Sequence, residues 1–181
     1  FPYTTLFRSA SKQELTRILR VYGEEKFAAK IAGAIVKKRE SEPIERSGQL
    51  VALVRASIPA PARRKGGNPA KRTFQALRVA VNNELSILED AIPAALNSLN
   101  VGGRLVVEAY QSLEDRIVKA AFKEASTSQA PPDLPVVPPE LAPNFNLVFS
   151  GAQKADEEEQ KTNPRSAPVR LRAIERISEG R

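Results

Sequence analysis

LVVEAYQSLEDRIVKAAF, residues 105–122, decides how the rest of the chain is read. An unbroken apolar run, Leu105-Val106-Val107, gives way to Gln111, Ser112, Glu114, Asp115 and Arg116, and then Leu113, Ile117, Ala121 and Phe122 mark a helical stripe. A continuous apolar run bounded by turn chemistry reads as a buried strand, here Arg104–Tyr110 after the Gly102-Gly103 turn. Ser112 with Asp115 three residues on predicts the cap of the helix that follows. In open α/β sheets, ligands bind beyond the carboxyl ends of strands, where the chain turns into a helix N-terminus. Glu114 and Asp115 gain there from the positive helix end, and Arg116 can pair with a carboxylate or clamp a phosphate. Ser112, Glu114, Asp115 and Arg116 are therefore candidates for shaping a substrate pocket, while the same residues also describe a well-capped surface helix.

Working outward toward the C-terminus, residues 125–143 hold six of the fourteen prolines and read as an extended linker. NFNLVF (144–149) is a short strand, ADEEEQK an exposed acidic helical turn, and VRLRAIERI (169–177) alternates as a strand with one solvated face. Upstream, Phe74, Leu77, Val81, Leu85, Leu88, Ile92, Leu96 and Leu99 recur at spacings of three or four. They predict one long helical region that Pro93 kinks or restarts.

The first part of the chain is nearly all helical. Ser11 and Glu14 form a capping box for a helix over about 12–22, closed by Gly23. A second helix is expected over about 24–38, and a third follows Ser47, which can cap it, and ends before Pro59. PAPARRKGGNPA (59–70) reads as a basic loop without regular structure. The economical architecture is a helical insertion followed by return of the chain to a partly parallel sheet.

Composition narrows the chemistry. The 181 residues contain no cysteine and no histidine, which excludes thiolate and serine–histidine catalysis, disulfides and the commonest metal ligands. No metal site is expected, and the absence of disulfides fits a reducing, cytoplasmic setting. No apolar window approaches the roughly 18 residues of a membrane span. The opening FPYTTLFRS (1–9) reads as a non-native leader, and the lack of any methionine reads as the mark of a fragment. The net charge of +7 is matched by Arg55, Arg63, Arg64, Lys65, Lys71, Arg72 and Arg78, a stretch without Asp or Glu. Such a cluster faces a polyanion, and nucleic acid is the favoured one. Asn68-Pro69-Ala70 and Asn163-Pro164-Arg165 lack the second proline and the aromatic of an amino-methyltransferase motif, and Gly102-Gly103 precedes a strand, unlike a cofactor-phosphate loop.

YGEEKFAAKIAGAIVKKR (22–39), NPAKRTFQALRVAVNNEL (68–85), GGRLVVEAYQSLEDRIVKAAF (102–122) and NPRSAPVRLRAIER (163–176), taken in order, resemble the bacterial RsmH (MraW) family. The resemblance implies the C-terminal part of a Rossmann-like, S-adenosylmethionine-dependent methyltransferase that modifies the N4 amine of a cytidine in 16S rRNA. It implies an inserted helical substrate-recognition domain (10–72), a helix-strand-helix of the core (73–124), the linker (125–143) and the last strands (144–181). It also implies that the cofactor-binding residues lie outside this chain, that the chain alone is inactive, and that its partner is 16S rRNA or the small ribosomal subunit. The RNA-binding candidates are Arg63, Arg64, Lys65, Lys71, Arg72, Thr73, Gln75 and Arg78, with Arg72, Thr73, Gln75 and Arg78 on an RNA-facing or domain-joining surface. Family members carry His where Asn68 stands, Phe-His where Tyr110-Gln111 stands and Pro where Val101 stands, so no histidine role carries over. The competing expectation is a non-catalytic RNA-binding or ribosome-associated module. The oligomeric state is left open.

Overall fold

A computed structural model describes residues 9–63, 68–131, 133, 134 and 136–179. The leader expected over 1–9 therefore lies, apart from Ser9, outside the described residues. The chain divides into two compact units between Glu84 and Leu85. The RTFQALR helix, which spans the 72/73 boundary that the resemblance implies, packs into the first unit.

Helix α1, Lys12–Val21, begins as expected, with the Ser11 hydroxyl accepting from the Glu14 N–H at 3.1 Å, and buries Leu15, Ile18 and Leu19. Helix α2, Ala28–Ser41, starts later than the periodicity suggests, because the chain first makes a tight corner. Glu24 takes a left-handed conformation (φ 47°), the Glu25 N–H donates to Leu19 O, and the buried Glu25 carboxylate accepts from the Phe27 N–H at 3.0 Å. Gly23 itself has no positive φ; it is needed for close approach, since a Cβ there would sit 2.7 Å from Arg72 O and 2.8 Å from Leu19 O. Helix α3, Ser47–Ser57, is capped by Arg46 rather than Ser47, with the Gln49 Oε1 accepting from the Glu45 and Arg46 N–H groups.

Residues 59–70 are not wholly irregular: Ala60–Arg63 forms a single turn, α4, whose Pro61 falls in the first turn where a missing N–H is harmless. The long helical region breaks at Asn83, not at Pro93. Helix α5 is Lys71–Asn82, Asn83 adopts φ 54° and ψ 32°, and α6, Glu84–Asn97, carries Pro93 within it. Asn visits the left-handed region through its short polar side chain, which β-branched residues cannot imitate. Asn83→Val should therefore cost about 1 kcal/mol, read as a lowered denaturation midpoint at unchanged m-value. Leu15, Leu19, Ile31, Ile35, Leu50, Val54 and Leu77 form the core of this unit.

The second unit holds β1 (Arg104–Ala109), α7 (Ser112–Ala125), β2 (Phe145–Leu147), α8 (Glu157–Thr162) and β3 (Arg170–Arg176). All three expected strands form, in the order β1-β3-β2, and both pairings are antiparallel. Among the described residues the sheet is thus not partly parallel. Nor is β1 buried on both faces: Val106 is 54% exposed, whereas Leu105 and Val107 pack with Ile92, Leu96, Val118, Phe122 and Ile174. An antiparallel edge strand can leave one face to solvent, which a continuous LVV run does not reveal. On α7 the fully buried residues are Val118 and Phe122, with Ala121 partly buried beside them. In the stretch expected as a linker, Ser128 and Gln129 are tied to Leu141, the Gln129 N–H and Ser128 hydroxyl both donating to Leu141 O at 2.9 Å. The helix stripe, the turn and the final strand so place the first turn of α7 beside the carboxyl end of β1.

Candidate functional site

The turn after β1 is fixed by one carboxylate. Glu114 Oε2 accepts from the N–H groups of Tyr110 (3.0 Å) and Gln111 (3.1 Å), so Gln111 is the N-cap and Glu114 its capping-box partner. Ser112, expected as the cap, is instead the first helical residue and is exposed. Asp115 does not cap either. Its side chain is 14% exposed and receives a two-pronged bond from Arg172, Nε to Oδ1 at 2.7 Å and Nη2 to Oδ2 at 3.2 Å, with the Arg172 side chain 13% exposed. Arg170 Nε stands 3.9 Å from Asp115 Oδ2.

Sheet register explains this meeting. Ala109 pairs with Arg170 and Val107 with Arg172, so the antiparallel strand delivers both arginines to the carboxyl end of β1. Arg170 and Arg172 are absent from the sequence-derived candidates. The signal was present: alternation in RLRAIER puts Arg172 on the same face as Ile174, which is fully buried, and a cation on a core-side face requires a carboxylate. Both carboxylates of SLEDR are thus engaged within the chain. Chemically the arrangement sets the path of Tyr110–Ser112 and leaves the 55%-exposed Tyr110, together with Ser112, Arg116 and Arg170, at the surface of this end.

In the helical unit, RTFQALR forms a joint. Arg72 Nη1 donates to Glu24 O at 3.3 Å and Gln75 Nε2 to Tyr22 O at 3.4 Å, both gripping the corner between α1 and α2. Arg78 pairs with Glu84 through Nε–Oε1 at 2.8 Å. Thr73 is entirely buried, its hydroxyl without a hydrogen-bond partner among the described residues, which keeps it away from any surface ligand. Lys71 is exposed in the first turn of α5. Arg63 closes α4, but its side chain, and all of Arg64 and Lys65, lie outside what is described.

No group of three or more acidic residues able to hold a metal ion occurs among the described residues, and none of the described helices is long and apolar enough to cross a membrane. Comparison with known proteins then fixes the relationship. Curated relatives named "Ribosomal RNA small subunit methyltransferase H" include one from a Nocardioides species, 62% identical over 167 residues, covering 92% of this chain and 52% of the relative. Another, from Beutenbergia cavernae, is 58% identical over 172 residues, covering 95% of this chain and 52% of the relative. A third, from Mycobacteroides abscessus, is 57% identical over 176 residues, covering 97% and 46% respectively. The chain spans about half the length of these relatives. The sequence profile described as "MraW methylase family" matches residues 4–177, and the chain belongs to that family.

Proposed function

We propose that this chain forms part of an S-adenosylmethionine-dependent methyltransferase that modifies the N4 amine of a cytidine in 16S rRNA, acting in the cytoplasm. The observation that carries the reading is the match along almost the whole chain to relatives named as small-subunit rRNA methyltransferases. The bound cofactor supplies an electrophilic methyl group; the cofactor pocket lies mostly in sequence beyond these 181 residues. Support for that last point comes from the turn Gly102-Gly103, which precedes β1, whereas a phosphate- or cofactor-cradling glycine loop follows a strand.

Methyl transfer to an exocyclic amine needs the nitrogen lone pair held in line with the methyl group, so positioning supplies much of the rate. The Glu114-capped turn suits such positioning, because it holds the Tyr110–Ser112 backbone rigidly at the strand end, where Tyr110, Ser112 and Arg116 orient the base. Arg172 keeps Asp115, and with it the first turn of α7, registered on β3. A cytidine in a duplex must be extruded to reach such a site, while one in a single strand needs no such step. The helical unit recognises the RNA.

Incubating the intact protein with 16S rRNA and methyl-labelled S-adenosylmethionine tests the reading. Label should appear on cytidine N4, and nuclease digestion that finds none there, with RNA still bound, would favour a non-catalytic RNA-binding module. The 181-residue chain by itself should show neither methyl transfer nor saturable S-adenosylmethionine binding in calorimetry.

A further inference from the structure

We propose that a second RNA-contacting surface runs along the solvent face of α1 and across onto α2, where Lys12, Arg17, Arg20, Lys30 and Lys37 hold the phosphate backbone of the substrate. The inference rests on the rRNA reading above and deepens it by naming residues that the charge distribution of the sequence does not single out. Outside residues 55–78 the charges balance in number, and only the helix geometry separates them.

Helix α1 turns Leu15, Ile18 and Leu19 into the core, so Gln13, Arg17 and Arg20 occupy the opposite face, and all three are exposed. The Arg17 guanidinium lies 5.7 Å from the centroid of the Tyr22 ring, which orients it without neutralising it. Lys12 extends over α2 at Gly33, its Cε 3.4 Å and its Nζ 3.7 Å from where a Cβ on that glycine would stand. Lys30 and Lys37, three residues before and four after Gly33, share that side of α2 and are exposed.

Among the described residues none of these five cations has a carboxylate partner, in contrast to Lys38, Arg78, Arg104 and Arg172. The two helices carry only Glu14 and Glu40 against them. A protein-binding surface would centre on aromatic or aliphatic anchors, whereas here the centre is Gln13, Arg17 and Arg20. Clustered cations that lack carboxylate partners, and have donors to spare, match a chain of phosphates, whose condensed counterions they release on binding.

The test uses the intact protein with Lys12→Gln/Arg17→Gln/Arg20→Gln substitutions, and separately Lys30→Gln/Lys37→Gln, binding transcribed 16S rRNA and assembled small subunits across a salt series. The triple variant should bind naked rRNA about tenfold more weakly at low salt, with a log–log salt slope shallower by about 2, and the double variant should move in the same direction by less. Melting temperatures should match the parent, since every substituted side chain is exposed. Parent-like affinity and slope in both variants would overturn the proposal while leaving the methyltransferase reading intact. Loss confined to assembled subunits, with naked rRNA bound normally, would mean a ribosomal-protein contact and would overturn it too. A parent protein whose rRNA binding ignores salt would remove the underlying RNA reading together with this surface.

Discussion

Asp115→Ala should lower the unfolding free energy of the α/β unit by about 3 kcal/mol, because it strands the Arg172 guanidinium in a site where only 13% of that side chain meets water. Removing one partner of a nearly buried ion pair exposes the full desolvation cost of the other, while the pair itself contributes far less. The double variant Asp115→Ala/Arg172→Met should accordingly recover part of the loss. Urea unfolding of the single and double variants closes the cycle. A single-variant cost below about 0.5 kcal/mol would show that water reaches Arg172 and that the bond does not hold α7 on the sheet. Charge matters here through geometry: Arg170, 43% exposed and 3.9 Å away, is poorly placed to replace its neighbour.

Gly23→Ala should cost about 3 kcal/mol, near the upper end for overpacking. The added methyl would meet two backbone oxygens, Arg72 O at 2.7 Å and Leu19 O at 2.8 Å, and the Ala76 Cβ at 3.1 Å. Backbone oxygens cannot swing aside as a side-chain tip does, so α5 must shift away from α1 and loosen the Arg72 and Gln75 bonds to the corner. A thermal melt within experimental scatter of the parent would disprove the close approach. Gly23→Asn, which a requirement for positive φ would tolerate, should cost at least as much as the alanine variant, and that separates the steric demand from a left-handed backbone.

Local signals carried much of the architecture. The Ser11–Glu14 box and the stripe of Leu15, Ile18 and Leu19 fixed α1, and the alternation of RLRAIER fixed β3, because both depend only on residues a turn or a pleat apart. The candidate site was legible in location but not in wiring. Gln111 rather than Ser112 caps α7, since extended backbone at position 111 lets Glu114 reach back over one more residue. The bond between Asp115 and Arg172 joins residues 57 positions apart and exists only through the β1–β3 register. Periodicity cannot report such a pairing, nor the antiparallel direction of the sheet. The break at Asn83 leaves no periodic signal for another reason: the apolar spacing continues across it, while Pro93, a helix breaker by type, sits inside α6.

The tie between residues 128–129 and Leu141 has its own consequence for how this family can diversify. The excursion from α7 to β2 is sealed at its neck, so whatever lengthens the intervening stretch leaves the start of β2 where it was. Ring closure grows dearer only with the logarithm of ring size, by about 0.6 kcal/mol for each doubling. Evolution can therefore enlarge or decorate this bight almost freely, provided Ser128, Gln129 and Leu141 keep it knotted at the base.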